Sequence, residues 1–196
     1  MKVTKRDEAI YSIDDVLAPR YYESLLEEFV PAYNNWVFRK KEWNAGSKDD
    51  KYPMWGNLQK ATNAVNKDAY TNSMLGDNHV LLNIGSIGTL IVGSILKKPV
   101  ELMRVNTNIQ FMGQESTFHT DGFPHEWTLN IFVSERWDGE WGGEFVCENS
   151  TGDYTGFPFK PNCAILFRAS LMHKGVAPNR FSPIERKTVA YTYREY

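Results

Sequence analysis

Two patterns divide the chain. Up to Lys98 the apolar positions mostly recur at helical spacing, and from Val100 onward they come in short runs cut by Gly, Pro and Asn. Leu17, Tyr21, Leu25, Leu26 and Phe29 share one face of a 3.6-residue period. Ser12 or Asp14 can cap such a helix, Pro19 suits its first turn and Pro31 ends it, so the main helix of Ile10–Val30 is predicted over Pro19–Phe29. Asn35–Trp43 reads as a strand, Ala45–Tyr52 as a polar loop, and Tyr52–Gly56 as an aromatic loop. A second helix is expected over Asn78–Lys98, closed by Pro99 and weakened by its glycines. Its apolar stretch, Val80–Leu96, is interrupted by Asn83, Gly85, Ser86, Gly88, Gly93 and Ser94, too mixed for a membrane span, and reads as a buried helix.

From Val100 the expected strands are Glu101–Phe111, Thr128–Ser134, Gly143–Cys147, Tyr154–Phe159, Ala164–Phe167, Gly175–Ala177 and Lys187–Tyr193. Many short strands after a helical first half predict a mainly β, α+β fold, a sandwich or barrel with helices on one face. No repeat or linker divides the chain. A single domain over residues 1–196 is expected, with helical support over about 1–98 and a β core over about 99–196.

Composition narrows the function classes. Apolar residues at 42% and charged residues at 23% fit a globular chain with a real core rather than a disordered one. A net charge of -2 argues against a nucleic-acid protein held by phosphate contacts. The two cysteines, Cys147 and Cys163, make no CxxC pair and read as small core residues, with pairing open only if they fall in neighbouring strands. Met1–Arg6 is polar and basic with no apolar run behind it, so no signal peptide is expected and a reduced, cytoplasmic setting is the default. Neither nucleic acid nor membrane is an expected partner, and the oligomeric state is open.

The candidate chemistry centres on Thr117–Pro124, which holds His119-x-Asp121. On a strand, alternate side chains share a face, so His119 and Asp121 can share one ion. His173 lies 173 − 121 = 52 residues past Asp121, a separation that several short strands span. Two imidazoles, one carboxylate and open positions form the donor set of non-haem Fe(II) oxygenases. Alone, His-x-Asp is a common coincidence, and the order His-x-Asp, strands, His, basic residue is what gives it weight. Arg186 starts the run RKTVAYTY and can grip a carboxylate bidentately, with the Thr188 hydroxyl on the same strand face; Lys187 is the competing anchor. By itself Arg186 reads as part of a solvated run with Glu185 and Lys187. His125, four residues after Asp121, opens a rival zinc site with His119, Asp121 and His173, the ligand set of a zinc-dependent hydrolase. His79 reads as a cap or surface group. Gly142 and Gly143 read as a tight turn from which Phe145 re-enters the core.

Residues 100–193 resemble the 2-oxoglutarate- and Fe(II)-dependent dioxygenase superfamily, in particular its prolyl 4-hydroxylase-like branch. The resemblance is carried by His119-x-Asp121, Trp137-Asp138 with Trp141-Gly142-Gly143-Glu144-Phe145, His173-Lys174-Gly175-Val176 and Arg186-x-Thr188. It implies a double-stranded β-helix, a jelly-roll barrel, with Fe(2+) at its open end. It further implies O2-dependent hydroxylation of a C–H bond coupled to conversion of 2-oxoglutarate to succinate and CO2, with ascorbate keeping the iron reduced. His119, Asp121 and His173 would be the iron ligands, and Arg186 with Thr188 would hold the distal carboxylate. Further cosubstrate contacts fall to Asn108 and Asn130, from the polar sets Asn106, Asn108, Gln110 and Thr128, Asn130; Phe132 stands where the family often has Tyr. A prolyl residue of a peptide or protein is the leading substrate, with a small molecule equally compatible with these residues. Loops Trp43–Trp55 and Phe123–Trp127 are the expected substrate contacts. A jelly-roll binding protein without oxidative activity is the rival from outside enzymology.

Overall fold

The computed structural model describes residues 1–29, 37–39, 54–61 and 79–196. In chain order the elements are β1 (Lys2–Asp7), β2 (Ile10–Asp14), α1 (Pro19–Phe29), β3 (Val37–Arg39), β4 (Met54–Ala61), α2 (His79–Leu96), β5 (Val100–Gln110) and β6 (Glu126–Val133). After a short 3-10 turn at Gly139–Trp141 come β7 (Phe145–Glu148), β8 (Tyr154–Phe157), β9 (Ala164–Arg168), β10 (His173–Gly175) and β11 (Arg186–Glu195). The larger sheet runs β1-β2-β9-β6-β11-β5-β4-β3 and the smaller β10-β7-β8, with every neighbour antiparallel. The fold is mainly β with antiparallel sheets and, among the described residues, two helices.

Helix α1 has the predicted bounds, Pro19–Phe29. The reading of the first half as helical support is corrected by four strands. β1 and β2 form a hairpin, and β2 pairs with β9 from Ile10↔Phe167 to Ile13↔Ala164. Ile10 and Ile13 are buried in different core clusters, so β2 is covered on both faces and its apolar spacing is easily taken for the start of a helix. Met54, Trp55 and Gly56, expected in a loop, open β4, which pairs with β5. Of the Asn35–Trp43 strand, Val37–Arg39 is described as β3; its remainder, the polar loop Ala45–Tyr52 and most of the Trp43–Trp55 loop lie outside the described residues.

Helix α2 buries a stripe rather than its whole surface. Leu81, Ile84, Gly85, Gly88 and Val92 are buried, while His79, Asn83, Ser86 and Leu90 are exposed, Leu90 at 74%. By length and composition it could cross a bilayer (18 residues, mean hydropathy 1.7), yet its buried stripe lies against β5 and β11. Gly88 explains why this helix tolerates its glycines: a Cβ there would run into the Tyr193 hydroxyl, which donates to the Gly85 carbonyl at 2.8 Å. Close approach of helix to sheet outweighs the helix-propensity cost, about 1 kcal/mol per glycine.

Two apolar clusters frame the central strands. Between helices and large sheet lie Leu25, Ile84, Val105, Leu129, Val189 and Tyr191, with others. Between the two sheets lies an aromatic cluster containing Phe132, Phe145, Phe157, Phe159 and Phe167. Cys147 is buried in the second cluster on β7, and Cys163 precedes β9; both are free thiols. Burial pushes them up, to about 12 and about 11 respectively.

Candidate active site

Main-chain pairing assembles the ligand set. His119 and His173 form an isolated antiparallel bridge, His119 N donating to His173 O at 3.0 Å and His173 N to His119 O at 2.9 Å. His119 and Asp121 therefore do not share a strand, as alternation suggested. Asp121 sits in the following turn, where its N–H and that of Gly122 donate to the Ala169 carbonyl. The candidate ligand atoms of His119, Asp121 and His173 all lie within 4.8 Å of one another. Asp121 Oδ1 is 3.9 Å from His119 Nε2, and Oδ2 is 3.5 Å from His173 Nε2.

Each ring is aimed from behind. Nδ1 of His119 lies 2.8 Å from the Thr117 carbonyl and Nδ1 of His173 3.0 Å from the Leu171 carbonyl. A carbonyl only accepts, so the proton sits on Nδ1 and the Nε2 lone pair faces the cluster. Burial pushes His173 down to about 4, with His119 and Arg104 assisting and the Asp121 carboxylate opposing. Burial works against ionisation of Asp121, but His173, Arg104 and His119, with the Thr128 hydroxyl, outweigh it and hold the carboxyl below its usual value. The result near neutral pH is a buried neutral imidazole beside a carboxylate, which is the protonation state a cation requires. Thr128 Oγ1 donates to Asp121 Oδ2 at 2.9 Å, and Arg104 Nη2 donates to the Asp121 main-chain oxygen at 2.9 Å, 3.7 Å from Oδ1.

Strand register then lays a polar floor. Arg186 pairs with Gln110, Thr188 with Asn108, and Ala190 with both Asn106 and Asn130. With a period of two these side chains share the face turned to the smaller sheet. The resulting cavity is lined by Asn106, Asn108, Asn130, Arg186, Thr188 and Thr128, with His119, Asp121 and His173 among the rest, and Phe145 and Phe167 supply apolar wall.

Arg186 is 2% exposed, and burial draws its guanidinium down to about 10, still protonated at neutral pH. Nε donates to the Gly143 carbonyl and Nη1 to Gln110 Oε1, each at 2.8 Å. Phe132 and Phe159 lie against the group, 5.7 and 5.2 Å from ring centroid to Cζ. Nη2 is buried without a partner among the described residues, as are Asn106 Oδ1 and Asn130 Oδ1. A buried charged donor left open costs far more than an ordinary hydrogen bond returns, so the cavity is shaped for an anionic group at that end. At the other end, two imidazoles and a carboxylate match divalent iron, which accepts mixed nitrogen and oxygen donors.

The structure brings together His119, Asp121, His173, Arg186, Thr188, Asn108 and Asn130 around one cavity. It leaves His125 out: that residue is exposed and stacks on Phe123 at 5.8 Å, so the four-ligand zinc reading loses a ligand. Lys187 turns away and pairs with Glu185 at 2.9 Å. Phe132, where a polar cosubstrate contact was sought, backs the Arg186 guanidinium instead. Arg104 and Ser116 escaped the sequence reading. Arg104 continues the alternation of Asn106 and Asn108 by two residues, a signal that was available; Ser116 had none.

No family model matches the sequence, and no curated protein matches it. Solved structures do. A Pseudomonas putida prolyl-4-hydroxylase matches at TM-score 0.64 and 13% identity, covering 96% of this chain and 93% of that one. The non-haem epimerase SnoN, in complex with Fe3+, α-ketoglutarate and nogalamycin RO, matches at 0.67 and 12%, over 96% and 80%. A Trichoplax adhaerens prolyl hydroxylase bound to a peptide fragment of a hypoxia-inducible factor matches at 0.64 and 11%, over 96% and 83%. The chain thus has the fold of the 2-oxoglutarate–Fe(II) oxygenases, and its His119–Asp121–His173 cluster fits their facial triad.

Proposed function

We propose that this protein is a single-domain Fe(II)- and 2-oxoglutarate-dependent oxygenase that hydroxylates a C–H bond, its two sheets forming a double-stranded β-helix. The observation that carries the reading is one cavity with a His-Asp-His cluster and an unsatisfied buried guanidinium, Arg186 Nη2. His119 Nε2, the Asp121 carboxylate and His173 Nε2 would hold the iron. Arg186 and Thr188 would take the distal carboxylate of 2-oxoglutarate, and Asn108 and Asn130 the remaining polar contacts. When bound, iron and cosubstrate supply O2 activation with release of succinate and CO2; ascorbate would serve as reductant. Thr128 keeps the Asp121 carboxylate oriented, the Thr117 and Leu171 carbonyls hold both rings with Nε2 toward the cluster, and Phe145 and Phe167 limit water beside the cluster.

A prolyl residue of a peptide or protein is the leading substrate. It is supported by likeness to prolyl hydroxylases, one of them bound to a peptide; the same fold also serves an epimerase. Anaerobic addition of Fe(II) and 2-oxoglutarate should produce the weak visible charge-transfer absorption of an iron-chelated 2-oxo acid, and O2 should then yield succinate. His173→Ala should abolish both, whereas His125→Ala should leave both intact. An apoprotein that gives neither signal refutes the oxygenase reading. Mass spectrometry of proline-containing peptide libraries, scored for a gain of one oxygen, tests the substrate class.

A further inference from the structure

The geometry points to Gln110 as the residue that aims Arg186 and sets the preference of the cavity for a ligand with a terminal carboxylate. The inference rests on the function proposed above and adds a positioning residue with a role in cosubstrate selectivity.

A buried arginine is ordinarily paired with an acid, because an uncompensated charge in the interior is costly. Arg186 is held by neutral acceptors instead: the Gly143 carbonyl on Nε and the Gln110 amide oxygen on Nη1. Both are dipoles, so they orient the fork and leave Nη2 open to an incoming anion, while Glu144 and Glu115 act on the guanidinium only through space, without a hydrogen bond to it.

The orientation of the Gln110 amide is fixed by its other end. Nε2 donates to the Gly175 carbonyl at 3.1 Å and to the Gln114 carbonyl at 3.0 Å, so Oε1 must face Arg186. The Gly175 carbonyl also accepts from Ser116 Oγ at 2.9 Å, and Ser116 Oγ accepts from Gly175 N at 3.0 Å. Gly175 belongs to β10, which begins with His173. Its missing side chain is required: a Cβ would lie 2.9 Å from Gln110 Oε1 and 3.0 Å from Arg186 Nη1. One neutral side chain therefore ties the anion-binding arginine to the strand of the metal cluster.

Exchanging the amide for an acid separates aiming from charge. In Gln110→Glu the carboxylate sits on Nη1, neutralises Arg186, and competes with any incoming anion. Gln110→Met keeps the volume and the charge of Arg186 but removes the acceptor.

The test is calorimetric titration of Mn(II)-loaded, anaerobic wild type and variants with 2-oxoglutarate and with 2-oxopentanoate, a 2-oxo acid of the same chain length without the distal carboxylate. Gln110→Glu should weaken 2-oxoglutarate roughly a hundredfold while changing 2-oxopentanoate by less than about threefold, so that selectivity collapses. Gln110→Met should weaken 2-oxoglutarate about tenfold and, in turnover, raise its KM without a matching fall in kcat. Unchanged selectivity in Gln110→Glu, or equal weakening of both ligands, overturns the inference. Should the Glu variant fail to fold, a Met variant with unaltered KM overturns it alone. Failure of the proposed function would appear separately, as wild-type protein that binds neither 2-oxo acid.

Discussion

The two faces of β5, β6 and β11 are built from different materials. Toward the helices the strands present Val105, Ile109, Leu129, Ile131 and Val189, which are buried and need only close packing. Toward the smaller sheet the same strands present Asn106, Gln110, Thr128, Asn130, Arg186 and Thr188, which are almost as deeply buried. Depth is therefore not what separates fold from site. Satisfaction is: the cavity face keeps Arg186 Nη2, Asn106 Oδ1 and Asn130 Oδ1 open, and no such cluster occurs on the helix face among the described residues. On the helix side, among the described residues, the Tyr191 hydroxyl is also left open, and it has no explanation in the structure. A single sheet can hold a mainly apolar core on one side and a store of unspent polar interactions on the other, one residue apart in sequence.

The sharpest way to break this contrast is Arg186→Met. Affinity for 2-oxoglutarate should fall between about a hundredfold and a thousandfold, measured by titration, because a charge-assisted fork is lost. The thermal midpoint of the apoprotein should hold or rise, since a lone buried charge is removed. Parallel loss of affinity and stability would erase the distinction between the faces.

Acid probes the same face. The folded protein keeps His173 near 4, whereas the unfolded chain protonates it at its ordinary value of 6.5. The unfolded state binds more protons in that window, so stability of the metal-free protein is full above about 6.5 and falls as pH drops toward 4, by about 3 kcal/mol. The lowered Asp121 adds a loss of the same sign at still lower pH. Denaturant melts across this range should show the slope, and His173→Asn should flatten it.

On the helix face, Gly88→Ala should cost about 1–3 kcal/mol in denaturant unfolding, because the new methyl meets the buried Tyr193 hydroxyl. Cosubstrate affinity per folded molecule should stay unchanged. The smallest expected effect is Thr128→Val, which removes the hydroxyl from Asp121 Oδ2 and should weaken metal binding about tenfold, read by competition with a chromogenic chelator.

The cavity face was legible in the sequence wherever strand alternation carried the information. Asn108, Thr188 and Asn130 follow from period two, and the register Thr188↔Asn108 and Ala190↔Asn130 aligns them as alternation requires. His119, Asp121 and His173 were legible as residue types in order, although the geometry joining them is a main-chain bridge and a turn. β2 was obscured because Ile10 and Ile13 are buried on opposite faces and polar Ser12 and Asp14 imitate a helix cap. The bond from Gln110 to Arg186 joins residues 76 positions apart, and its meaning depends on Gly175 from the other sheet; no local pattern encodes that. The exclusion of His125 likewise depends on the direction of the chain after Asp121.

The His119–His173 bridge also bears on how the protein comes to exist. It closes a loop of 173 − 119 = 54 residues with two main-chain bonds, made by atoms other than the candidate ligand atoms. The entropy of closing that loop, which grows only with the logarithm of its length, is met during folding rather than at the moment of metal capture. Folding should accordingly be slow, as befits non-local strand pairing, and independent of iron, while metal uptake should be a fast, separate event in an already folded chain. Refolding rates that accelerate with added Fe(II) would reverse that order.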